Sequence, residues 1–257
     1  MSSGVGIVTR IQSVSPAISA VLLDHPGVYL RTVRGASAIY GGEYTGMPGF
    51  RFTVGRIGDA SLLIGLIPPY PQAVAEAVYE LFILGIRNVI TITRGARLGR
   101  RVEEGERVVL AKAAIPLDGV SQRIAPPGTP LLASAELLRG LLAYAELGVL
   151  KGSVNPGTTV TMQSLRMAWS YDDAEEYIGL RDVRAADTVT APLYALQYQF
   201  ERLNALSVVV AERPLTPTPR PVETDARALE RHDEREADLI SKILIAAVET
   251  IKAVAGE

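Results

Sequence analysis

The stretch ASLLIGLIPPYPQAVAEAVYELFILGIRNVITIT, residues 60–93, decides how this chain folds. Its opening ASLLIGLI alternates weakly and is rich in branched side chains, as a strand would be. The prolines at 68, 69 and 71 end any strand, and Pro71 can open a helix because its missing N–H has no intrahelical role there. In QAVAEAVYELFILG, Val74, Val78, Leu81 and Phe82 recur at helical spacing, which predicts a helix over about residues 72–84. Gly85 stands where a left-handed residue ends such a helix. IRNVITIT is then a short branched run of the buried-strand kind. Strand, helix and strand predict a βαβ unit with parallel pairing and a right-handed crossover.

The alternation continues outward from this unit. FRFTVGRIG upstream and EGERVVLAKAAI downstream read as strands, and DGVSQRIAPPGTP as a loop. Ser134 is placed to cap the helix AELLRGLLAYAELG, which runs out at a glycine. Pro192 opens a helix through LYALQYQFERLN, and ALSVVVA follows as a buried strand. ERPLTPTPRPVETD is too rich in proline for regular structure. The end, EADLISKILIAAVETIKAV, is an amphipathic helix with Leu239, Ile243, Ala246, Ala247 and Ile251 on one side. No repeat or low-complexity tract interrupts the pattern. Residues 1–257 therefore read as one α/β domain, a three-layer sandwich with a mixed central sheet.

Composition narrows the function. With 48% hydrophobic and 21% charged residues in 257, the chain can bury a full core. A net charge of −2 gives no global field for nucleic acid or an anionic membrane, so any anion site must be local. The absence of cysteine excludes disulfides and thiol chemistry, and two histidines, His25 and His232, cannot build a metal cage, so no metal is expected. The apolar run 17–23 meets Asp24 and has no basic flank, and no run approaches the length of a membrane span. A cytoplasmic protein without membrane or nucleic-acid partners is the expectation.

Several segments, in order, resemble the purine nucleoside and uridine phosphorylase family. VLLDHPG resembles its first strand and glycine-aspartate-proline phosphate loop, and ASLLIGLIPPYPQAVAEAVYEL its second strand, glycine turn and helix. NVITITRGARLG resembles the strand with the Arg-Val-Gly-Thr/Ser-x-Gly turn. EGERVVLAKAAIPLDGVSQRIAPPGTP is the nearest match. VRAADTVTAPLYAL resembles the Glu-Met-Glu segment, and LSVVVAER the last strand with the family's catalytic aspartate. The resemblance implies a phosphorylase-type sandwich that assembles as a homo-oligomer (dimer, trimer or hexamer). It also implies a nucleoside or nucleobase ligand and no cofactor beyond inorganic phosphate as co-substrate.

The functional positions depart from the family pattern. Val28 replaces a phosphate-binding arginine, Pro68, Pro69 and Tyr70 replace a glycine turn, and Thr91 and Thr93 replace the arginine and glycine of the third motif. Asp187-Thr188-Val189 replaces Glu-Met-Glu. Two prolines offer no N–H to an anion. Phosphate is therefore expected to bind weakly, and any clamp must use Arg94 or Arg97, whose guanidinium groups suit phosphate geometry. Glu212, at the end of the last strand, could protonate a departing base. Trp169 could stack on that base, and Asp187 could face the sugar. Each also has a plain structural reading: solvated arginines at a turn, Glu212 paired with Arg213, Trp169 in a core or interface, Asp187 as a helix cap. Phosphorolysis, hydrolysis on the same scaffold, and a catalytically inactive binding or assembly protein all stay open.

Overall fold

The strand Ser19–Leu23 (β1) is buried along its whole length and lies inside a ten-stranded mixed sheet. The structure is a computed structural model that describes residues 19–35, 37–43, 50–57, 60–98, 107–148, 150–165, 182–215 and 226–255. Further strands are Ser37–Glu43 (β2), Arg51–Ile57 (β3), Ala60–Leu66 (β4), Asn88–Arg97 (β5), Val108–Pro116 (β6), Leu131–Leu132 (β7), Val154–Thr161 (β8), Val183–Asp187 (β9) and Asn204–Pro214 (β10). The helices are Pro26–Gly35 (α1), Pro71–Ile83 (α2), Ser121–Ile124 (α3), Ala135–Leu147 (α4), Thr190–Gln199 (α5) and Ala226–Ala255 (α6).

The βαβ unit forms with one difference from expectation. β4 and β5 run parallel, but they do not pair: β1 lies between them, parallel to both. A strand with Ala20–Leu23 wholly buried needs partners on both edges, and only an interior place in the sheet supplies them. Between β4 and β5, α2 begins at Pro71 and closes at Gly85, whose φ of 96° is open to glycine at no steric cost. The Ser134 hydroxyl accepts from Leu137 N–H, so α4 is capped as its sequence predicts.

Alternation along the strands splits the core into two layers of side chains. Ala20, Leu22, Val89 and Ala205 pack on one face against α2 and α5. Val21, Leu23, Ile90, Ile92, Leu206 and Val208 pack on the other against α1, α4 and α6. On α6, Ala237, Ile240, Ile243, Leu244, Ala247, Val248 and Ile251 carry the helix onto the sheet. At about 1.5–3 kcal/mol per large aliphatic side chain buried, this stripe alone outweighs any intrinsic helix preference. The result is the expected three-layer α/β sandwich.

Two strand ends and one helix differ from expectation. β5 does not turn at Arg94 but continues through Arg97. β10 runs on into Glu212-Arg213-Pro214, where the prolines predicted irregular chain. α5 starts two residues before Pro192, at Thr190, and stops at Gln199. The two strand extensions follow from a ring of strands: β10 pairs with β5 and β6, β6 with β8, β8 with β9, and β9 returns to β5. Pairing on both edges holds β5 extended to Arg97, through Ala185 of β9 and Pro214 of β10.

Candidate active site

Four strand ends converge where the ring joins the rest of the sheet. After β1, the chain turns through Asp24 and His25 into α1. The His25 ring nitrogen Nδ1 accepts from Val28 N–H at 3.3 Å, capping that helix. Val28 itself lies wholly in the core. Burial, and then the nearby Arg94 charge, lower the His25 pKa from its ordinary value.

Asp24 is 5% exposed and draws in the end of β5. Its Oδ2 accepts from Arg94 N–H at 2.9 Å and from the Thr93 hydroxyl at 3.1 Å. Arg94 Nη2 donates to the Asp24 carbonyl at 3.0 Å, and its Nε lies 3.4 Å from Asp24 Oδ1. The same Nε is 3.9 Å from Oε1 of Glu236, a buried residue of α6. Arg94 thus ties β1, β5 and α6 together, with a guanidinium facing two carboxylates.

Asp187 closes the other side of the ring. It is fully buried, and its Oδ1 accepts from the Thr161 hydroxyl (2.9 Å), Val189 N–H (2.9 Å) and Thr190 N–H (3.0 Å). The Thr190 hydroxyl bridges Asp187 Oδ2 and Ser207 Oγ. Burial raises the Asp187 pKa, against the pull of these donors. Below it, Tyr194 OH donates to the Ala111 carbonyl and accepts from Ser207 N–H at 3.0 Å. Burial pushes that phenol far above its ordinary range. Thr188 Oγ1 donates to the Pro69 carbonyl at 2.7 Å, which ties the turn after β9 to the turn after β4.

β10 departs from regular pairing here. Its register against β5 is unbroken from Asn204 to Val210, then shifts before Arg213 meets Ala96. Ala211 N–H turns to the Arg107 carbonyl at 2.8 Å. Bulges of this sort kink a strand and re-aim its residues, and they recur beside active sites. The backbone of Glu212 lies in this shift, beside the Arg94–Arg97 end of β5.

Neither a family model nor a curated protein sequence matches the chain. Among solved structures, uridine phosphorylase from Vibrio fischeri complexed with 6-hydroxy-1-naphthoic acid is similar. The match covers 95% of this chain and 92% of that one, with a TM-score of 0.75 and 16% identity. A second structure of uridine phosphorylase from Vibrio fischeri gives 93% and 92% coverage, a TM-score of 0.73 and 17% identity. The fold is the nucleoside phosphorylase fold.

On this phosphorylase fold the five candidate residues fall unevenly. Arg94 is engaged by Asp24. Arg97, three residues on along a continuous strand, projects to the opposite face, so the two do not form one clamp. Asp187 holds the start of α5. Glu212 is described by its backbone alone, and Trp169 lies outside the described residues. Asp24, Thr93 and Glu236 were not legible as a unit, although an aspartate directly after a buried apolar strand is a signal. A groove of about 660 Å³, walled by Pro116, Pro126, Pro127, Pro130 and Leu132 with Ser121 and Thr158, contains none of these groups. No helix among the described residues is long and apolar enough to cross a membrane.

Proposed function

We propose that this protein cleaves the N-glycosidic bond of a nucleoside, with Glu212 as the acid that protonates the departing base. The observation that supports this most is the bulge in β10, which sets the Glu212 backbone beside Arg94 at the convergent strand ends. Open α/β sheets bind ligands in the crevice beyond the carboxyl ends of their strands. Trp169 stacks on the base in this reading. Asp187 acts by fixing the β9–α5 turn next to the sugar. A homo-oligomer completes the proposal, and light scattering that returns a single chain mass at micromolar concentration would count against it.

The test is a nucleoside panel read by base release, with Glu212→Gln beside the parent. Loss of a proton donor without change of shape should lower turnover by about 10²–10⁴-fold. Unchanged turnover in Glu212→Gln would refute the assignment. A second reading, a non-catalytic binding protein, is favoured by one feature: Arg94 and Asp187 both satisfy their charges within the chain. Nucleoside-dependent thermal stabilisation without base release from any member of the panel would select it.

A further inference from the structure

We propose that Asp24 is a built-in anion that occupies Arg94 and excludes inorganic phosphate from the end of β5, so that water is the acceptor of the glycosyl group. The choice of acceptor rests on the glycosidic-cleavage reading. The exclusion of phosphate does not.

A phosphate site needs a guanidinium, backbone N–H groups and hydroxyls pointing at one spot. The end of β5 has all three, in the Arg94 side chain, the Arg94 N–H and the Thr93 hydroxyl. The Arg94 N–H and the Thr93 hydroxyl donate to Asp24 Oδ2 at 2.9 and 3.1 Å, and the half-exposed Arg94 guanidinium donates to the Asp24 carbonyl at 3.0 Å with its Nε 3.4 Å from Oδ1. A carboxylate that the fold already holds against these donors competes with a free anion as an intramolecular ligand. Displacing it would leave a carboxylate that is 5% exposed without its partner, which is strongly unfavourable. Glu236, 3.9 Å from Arg94 Nε, adds a second negative charge against an incoming anion. His25 does not offset that charge, because burial and Arg94 both favour its neutral form. The neighbouring turn supplies little in exchange, since Pro68 and Pro69 have no N–H.

With phosphate excluded, the reaction is a hydrolysis. A water oxygen bonds to the anomeric carbon as the carbon–nitrogen bond breaks, and the bonding pair leaves with the base. The base takes up one proton, and the sugar keeps a hydroxyl.

The experiment is thermal shift with inorganic phosphate against chloride at matched ionic strength, on the parent, Asp24→Asn, Arg94→Gln, Glu236→Gln and the double variant Asp24→Asn/Arg94→Gln. The parent should show no phosphate-specific shift. Asp24→Asn should bind phosphate at least tenfold better, with a rise in Tm that grows with the logarithm of phosphate concentration and reaches about 3–6 °C at ten times Kd. The double variant should lose that gain. If circular dichroism shows Asp24→Asn unfolded, Glu236→Gln should give a smaller gain in the same direction. Phosphate-specific stabilisation of the parent that disappears in Arg94→Gln would overturn the proposal, as would a folded Asp24→Asn with no gain. Product analysis separates the two parts: free sugar in phosphate buffer supports water as acceptor, and sugar phosphate refutes it. No base release in either buffer would sink the glycosidic reading, while the binding results still decide the role of Asp24.

Discussion

Replacing Gly95 by alanine should open the ring of strands beside the candidate site. Gly95 lies on β5 where β9 and β10 both approach. A methyl group there would come 2.6 Å from the Ala186 carbonyl oxygen and closer still to Val209 Cγ1. Carbon–oxygen contacts settle near ~3.3 Å, so the strands must part by roughly 0.7 Å. Neither neighbour is the free end of a flexible side chain. Overpacking of this kind costs about 1–3 kcal/mol. β9 is held to β5 through the register pairs Ala96–Ala186 and Arg97–Ala185 and by the Leu98 N–H bond to the Arg184 carbonyl at 2.8 Å. Weakening one or two such bonds adds about 0.5–1.5 kcal/mol each. The sum, about 1.5–6 kcal/mol, corresponds to a fall in Tm of roughly 3–20 °C for a chain of this size. Urea unfolding and calorimetry would measure it. Gly119→Ala is the control, because nothing lies within 4 Å of its added methyl, and it should stay within about 0.5 kcal/mol of the parent. Gly95→Ala as stable as Gly119→Ala would show that the ring does not close as described.

Asp187→Ala should cost about 3–6 kcal/mol in urea unfolding, because the Val189 N–H, Thr190 N–H and Thr161 hydroxyl lose their buried acceptor. Burial raises the folded-state pKa of Asp187 above its ordinary value of 3.8, so its contribution is fully present below that value and is lost as pH rises through the folded pKa. Asp187→Asn should therefore flatten the decline in stability above pH 3.8, and a steeper decline in the variant would mean that the donors outweigh burial. Tyr194→Phe should cost about 2–4 kcal/mol, since Ser207 N–H and the Ala111 carbonyl are both left buried without the phenol. A loss under about 0.5 kcal/mol would count against that bridge.

The local elements were legible because their causes are local. Apolar spacing and Pro71 placed α2 at 72–84 against the observed Pro71–Ile83, and Ser134 and Gly85 marked a helix start and a helix end. The two-sided burial of NVITIT read as an interior strand, and the apolar stripe of the last segment as a packed helix. Even Asp187 carried a readable alternative, an acidic residue three places before Thr190 at the head of an apolar helix. The rest depended on partners far away in the chain. Nothing near β4 or β5 says that β1 will lie between them, because sheet order is set by which strands have both edges to satisfy. The run ERP reads as loop until β5 offers β10 a partner through Pro214. Arg94 reads as a free cation at a turn until a carboxylate 70 positions earlier meets its N–H at 2.9 Å. Charge and spacing can nominate a residue for a site. Which opposite charge reaches it first is a property of the folded sheet, since Coulomb attraction acts through space and not along the sequence.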